Sequence, residues 1–306
     1  MNFTDILIEK IKAKGSPICV GLDPILSKIP ASIITKAEQA HGPTLNAAAE
    51  AILNFNKGLI DSFGDLVPVI KPQSAYFEMY GFQGIWALQE TCKYAREKGL
   101  IVLMDAKRGD IGSTADAYAT AYLGETSVFG QKEEVFECDA VTVNHYMGFD
   151  SVKPFIDKAR KFNKGTFVLV KTSNVSSGDF QDRVVDESGL KIHEVAAHFV
   201  ESWGADDIGS NGYSAVGAVV GATFPAEIAR LRELMPSTFF LIPGYGAQGG
   251  SAKDVQGAFD LDGLGALINS SRGINYAYES DDTYSSENFA EAARAAVLDM
   301  KKDLGW

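Results

Sequence analysis

Leu100-Ile-Val-Leu-Met-Asp105-Ala-Lys107-Arg-Gly-Asp110-Ile-Gly-Ser-Thr114 opens as an apolar, β-branched run, becomes a charged array and continues into a helix-like stretch ending at Leu123. A continuous apolar run, rather than strict alternation, suits a parallel strand covered on both faces. Seven further runs share this form: Pro17–Asp23, Val67–Lys71, Ala140–Asn144, Thr166–Thr172, Ala215–Thr223, Phe239–Pro243 and Gly265–Asn269. Between them lie amphipathic segments such as Gly84–Arg96 and Pro225–Met235, with apolar residues spaced near three and four, as crossover helices require. Eight strands alternating with helices predict an α/β fold, a single-domain (β/α)8 TIM barrel over residues 1–306, whereas an open doubly wound sheet more often has roughly five or six strands. Residues 24–50 and 174–213 exceed what short loops need. They read as insertions carrying extra helices or mobile loops, because the strand–helix rhythm resumes after each.

The length of 306 residues fits one barrel, and 46% hydrophobic with 22% charged residues is ordinary globular composition. A formal charge of -12 argues against nucleic acid or an anionic membrane as partner, since both attract clustered Lys and Arg. An anionic small ligand would need local cations that overcome this average. Cys19, Cys92 and Cys138 have no metal or redox spacing and read as reduced, buried thiols, which fits a cytoplasmic protein. The N-terminal stretch has no basic segment followed by an apolar core, and no run approaches the ~18 apolar residues of a membrane span. The expectation is a protein neither exported nor anchored.

Active sites of such barrels gather at the C-terminal ends of the strands. Polar residues stand there: Asp23, Lys71, Asp105 with Lys107, Thr172 with Ser173, Thr223, Gln248 and Arg272. Asp105 and Lys107 are two apart, so they share a face while extended geometry persists, with Ile101 and Leu103 below them inside the barrel. A buried structural ion pair is the plainer reading of that pair. For Asp110 the plainer reading is a favourable charge at a helix start, where Ser113 and Asp116 could also form a capping box. A Mg2+ site is a rival for the carboxylates, but Lys107 between the two aspartates already supplies neutralising charge. Pro243-Gly-Tyr-Gly-Ala-Gln-Gly-Gly250, followed after the next strand by Asn269-Ser-Ser-Arg272, supplies glycine backbone N–H groups and a forked cation where barrels of this type cradle phosphate. The expected ligand is phosphorylated.

Asp-x-Lys-x-x-Asp-Ile-x-x-Thr from Asp105, with Lys71 before it and Pro-Gly-x-Gly-Ala-Gln-Gly from Pro243 after it, resembles the orotidine 5'-monophosphate decarboxylase family across all eight strands. The long strand ending at Thr223 and the chain length resemble its longer bacterial subgroup. The resemblance implies conversion of orotidine 5'-monophosphate to UMP in de novo pyrimidine biosynthesis, with no metal and no cofactor. It assigns Lys71, Asp105, Lys107 and Asp110 to an array facing the C6 carboxylate, with Lys107 as proton donor. It places Asp23 on the nucleoside, Ser173 on the pyrimidine, and Pro243, Gln248 and Arg272 in the phosphate-side loops. It implies a homodimer in which Asp110, Ile111 and Thr114 reach into the partner's site. Two residues depart from the subgroup pattern, Val175 and His145, each where proline is expected. The nearest rival is a Mg-dependent sugar-phosphate decarboxylase or hexulose-phosphate synthase of the same superfamily. A Schiff-base aldolase and a catalytically inert ligand-binding barrel are more distant ones.

Overall fold

A computed structural model describes residues 2–246 and 249–306. All eight expected strands are present: β1 (Ile18–Leu22), β2 (Val69–Pro72), β3 (Ile101–Arg108), β4 (Ala140–Val143), β5 (Gly165–Lys171), β6 (Ser214–Val220), β7 (Thr238–Pro243) and β8 (Ala266–Ser270). They are parallel and close on themselves, because β1 pairs with β2 on one side and with β8 on the other.

Strand periodicity divides the core in two. Cys19, Val69, Ile101, Leu103, Ala140, Phe167, Leu241 and Leu267 point inward and form one buried cluster. Their neighbours in sequence, including Val20, Ile70, Val102, Met104, Val141, Val168, Ile242 and Ile268, face the surrounding helices in a second. Each strand is thus apolar on both faces, which is why its sequence reads as a continuous run.

The strand–helix rhythm does not anticipate the helix Phe3–Lys14, whose Phe3, Leu7, Ile8 and Ile11 belong to the interior cluster. Asn2 caps its start by accepting from the Thr4 N–H at 2.8 Å, and Gly15 ends it in the left-handed region at φ 55°. The Phe3 ring meets Phe167 edge-on at 6.3 Å, and the Thr4 hydroxyl donates to the Tyr213 carbonyl at 2.8 Å. This helix closes the N-terminal mouth of the barrel, opposite the strand ends that carry the polar residues.

The insertions resolve into structure. Residues 24–50 hold a short turn at Leu26–Lys28, the helix Ala31–His41 and the start of the crossover helix Leu45–Phe63. In 174–213 the helix Ile192–Gly204 is itself the crossover, so the extra chain is confined to about the first half of that stretch. An unanticipated antiparallel pair, Thr126–Val128 with Gln131–Glu133, precedes β4. The capping box from Ser113 and Asp116 does not form: the helix Gly112–Leu123 has no side-chain cap, and Asp116 lies 3.3 Å from Lys158 instead.

Leu7 is fully buried beneath the barrel. Leu7→Ala is expected to lower the unfolding free energy by about 2–5 kcal/mol through lost transfer energy and an unfilled cavity, measured by urea denaturation.

Candidate active site

The inward-facing series changes character at its top. Above Val69 stands Lys71, above Leu103 Asp105, above Ala140 Thr142 and above Leu267 Asn269, all at least nine-tenths buried. They line a cavity of about 400 Å3 at the C-terminal strand ends, with Asp23, Lys107, Ser173, Pro243 and Arg272 on its wall. Three cations, Lys71, Lys107 and Arg272, stand there against two carboxylates, Asp23 and Asp105. The cavity is therefore locally positive inside a chain of net charge -12.

Asp105 is the centre of the arrangement. Its Oδ2 accepts from Lys71 Nζ at 2.7 Å and Gln73 Nε2 at 3.0 Å. Its Oδ1 accepts from Lys107 Nζ at 2.6 Å and the Thr142 hydroxyl at 2.9 Å. Four donors fill the four lone-pair directions of an ionised carboxylate. Burial alone would push its pKa up, but the ammonium charges of Lys71 and then Lys107 hold it far below the usual carboxylate range. Burial likewise opposes the charge on Lys71, and Asp105 followed by Asp23 overcomes it, raising the Lys71 pKa above its ordinary value. The two lysines differ in setting: the Lys71 side chain is 5% exposed and that of Lys107 44%.

Asp105 and Lys107 meet, but not by the simple alternation expected of them. Extended geometry breaks at Lys107, whose φ of 47° lies in the left-handed region, and the β3–β4 register shifts between Met104 and Arg108. Such a conformation costs a side-chain-bearing residue roughly 1–2 kcal/mol. The Lys107 side chain returns to Asp105 from this bulge.

Asp23, Ser173, Pro243 and Arg272 all reach the cavity, and Asp23 Oδ1 is a buried oxygen with no hydrogen-bond partner among the described residues. The segment leading to Ser173 is held from beneath. Gln181 accepts from the Thr172 N–H at 2.9 Å and donates to its hydroxyl at 2.7 Å, while buried Lys171 binds Asp182 at 2.7 Å. Gln248 lies outside the described residues. Asp110, Ile111, Thr114 and Thr223 do not line the cavity of their own chain. Asp110 accepts from the Ile111 N–H at 2.8 Å, and Ile111 is 54% exposed.

His145 sits off the cavity, edge-on to Trp203, and burial holds its pKa below the ordinary imidazole value. Val175 is fully exposed. Gln73, Thr142 and Asn269 were not singled out by strand-end position, although each continues the two-residue period of its strand. No group of three or more His, Cys, Asp or Glu side chains among the described residues is arranged to hold a metal.

Asp105→Ala leaves the buried Lys71 ammonium without its carboxylate and is expected to cost about 3–5 kcal/mol of stability at neutral pH, measured by urea denaturation. The depressed Asp105 pKa contributes stability that is complete above the unfolded value of about 3.9 and lost as pH falls through the folded one. The raised Lys71 pKa contributes stability complete below about 10.4 and lost as pH rises through the folded value. The gap between wild type and variant is expected to be flat from about pH 5 to 9 and to shrink outside that window.

Residues 16–286 match the family model described as "Orotidine 5'-phosphate decarboxylase / HUMPS family". The chain is 43% identical to a Caldicellulosiruptor bescii protein named orotidine 5'-phosphate decarboxylase, over 97% of this chain and 99% of that one. It is 41% identical to a Rhodopirellula baltica protein of the same name, over 99% of each. The solved structure of Leishmania donovani OMP decarboxylase, 34% identical, matches with a TM-score of 0.75 over 100% of this chain and 98% of that one. A cavity of about 400 Å3 at the strand ends, a charged array on β2 and β3, and near-complete coverage by these relatives agree: the chain belongs to the orotidine 5'-phosphate decarboxylase / HUMPS family.

Proposed function

We propose that this protein decarboxylates orotidine 5'-phosphate to UMP, a step of de novo pyrimidine biosynthesis, without metal or organic cofactor. The observation that carries the reading is the Asp105 carboxylate, buried and held between Lys71 and Lys107 at the floor of a locally positive cavity. Breaking the bond from C6 to the carboxylate releases CO2 and leaves the electron pair in the ring plane at C6, where no conjugated group can accept it. Fixed positive charge aimed at that carbon favours the carbanion. Lys107, half-open to the cavity, donates an N–H proton to C6 and is left as a neutral amine. Asp105 repels the substrate carboxylate in the ground state, and that repulsion disappears as CO2 departs. Lys71 keeps Asp105 ionised and in place. Asp23 and Ser173 serve the nucleoside and pyrimidine, while Pro243, Gln248 and Arg272 serve the phosphate, whose remote binding energy holds the ring at the reacting carbon.

The same reading makes the protein a homodimer in which Asp110, Ile111 and Thr114 complete the partner's site. It is supported by their absence from their own chain's cavity and by the solvent exposure of Ile111. Residues 1–306 are read as one domain, since the N-terminal helix and both insertions pack on a single barrel. A cytoplasmic setting accords with three buried, unpaired thiols. No described helix is long and apolar enough to cross a membrane.

The Mg-dependent sugar-phosphate rival is less favoured, because both Asp105 oxygens face ammonium, amide or hydroxyl donors rather than an open ligand position. Orotidine 5'-phosphate is expected to be converted to UMP in the presence of EDTA, followed by loss of orotate absorbance. Strong inhibition by the chelator would sink the metal-free reading. Lys107→Ala is expected to lower kcat by at least about 10³-fold while UMP still binds. Normal turnover by that variant would rule Lys107 out as the proton donor. Mixing inactive Lys107→Ala and Asp110→Ala chains is expected to restore about a quarter of wild-type activity, because half of randomly formed two-fold dimers are hybrids with one intact site. An absence of recovery after subunit exchange would place Asp110 in cis.

A further inference from the structure

We propose that Thr142 is the positioning residue for Lys107, fixing both the bulged backbone and the carboxylate on which the ammonium rests. The inference rests on the reading of Lys107 as the C6 proton donor. On β3, Met104 pairs with Val141 and Arg108 with Val143. Three residues, Asp105, Ala106 and Lys107, therefore stand opposite Thr142 alone, and the backbone N–H groups of this excess chain cannot all find carbonyls in the β4 ladder. The Thr142 hydroxyl takes the place of the missing acceptor. It accepts from the Ala106 N–H at 3.1 Å and from the Lys107 N–H at 3.0 Å, and it donates to Asp105 Oδ1 at 2.9 Å.

A hydroxyl has one hydrogen and two lone pairs, so this one is fully used and has no capacity left for a ligand. Thr142 is 1% exposed, on a strand fixed by its neighbours on both sides. Lys107 is thereby gripped at both ends. Its backbone is pinned in the left-handed conformation, and its ammonium binds the same Asp105 oxygen that Thr142 holds. Without the hydroxyl, the buried Ala106 N–H and the part-buried Lys107 N–H both lose this partner. The bulge can then relax toward ordinary strand geometry and carry Nζ away from its place. Ser173, Pro243 and Arg272 lie elsewhere on the wall, so ground-state nucleotide binding is not expected to follow.

The test compares wild type, Thr142→Val and Thr142→Ser for kcat, KM, inhibition by UMP and thermal unfolding. Valine matches threonine in shape and removes all three hydrogen bonds; serine keeps them and drops the methyl. Thr142→Val is expected to lower kcat about 100-fold, the effect of a displacement near 1 Å at a reacting group, with KM and UMP affinity within about threefold. Thr142→Ser is expected to return kcat to within about fivefold of wild type. A Thr142→Val enzyme whose kcat stays within about threefold of wild type would overturn the proposal, as would a serine variant as slow as the valine one. Should the valine variant fail to fold, Thr142→Cys, with similar bulk and a weak hydrogen-bonding atom, is read by the same criteria. Wild-type protein that does not turn over orotidine 5'-phosphate would refute the function itself, an outcome separable from the fate of Thr142.

Discussion

The barrel mouth is organised around one buried negative charge. A carboxylate removed from water is costly unless every oxygen is paired, and Asp105 meets that requirement with donors from three adjacent strands. Lys71 comes from β2 and Gln73 from the residue just past its end, Lys107 from β3 itself and Thr142 from β4. Each strand must therefore arrive in one register. The interaction acts on the fold as much as on the chemistry, since a slip of β2 or β4 against β3 would leave the charge without partners.

Within that arrangement, two residues of the same type are given different work by their surroundings. Lys71 is sealed into the interior and its charge is locked on by Asp105 and Asp23, so it acts as a fixed counter-charge. Lys107 shares the same carboxylate but opens onto the cavity. Burial separates the two lysines, and for Lys107 the bulge in β3 is where its side chain leaves the strand.

The barrel was legible because each strand is an uninterrupted apolar run, and the strand ends then located Asp23, Lys71, Asp105, Lys107, Ser173 and Arg272 at the mouth. The two-residue period also holds the signal for Gln73, two residues beyond Lys71, and for Thr142, directly above Ala140 of the interior cluster. Their hydrogen bonds were not legible, because these depend on inter-strand register. The left-handed turn at Lys107 was invisible for a related reason: no glycine marks it, and it is held by a hydroxyl on another strand. The plug formed by Phe3–Lys14 looks like any amphipathic helix until the open end it fills is known. Asp110 follows β3 closely in sequence yet has no place in the cavity of its own chain.

The division of each strand between inward and outward positions has a genetic corollary. A β-strand is read like a message with a two-letter frame, one letter written for the interior and the next for the helices. Deleting a single codon early in β3 would turn Met104 or Ala106 into the barrel and expel Asp105, exchanging core and chemistry at once. A change of length leaves the barrel intact only where it falls outside that frame. The antiparallel pair at 126–133 and the extra chain after Ser173 stand where an insertion changes no strand's parity.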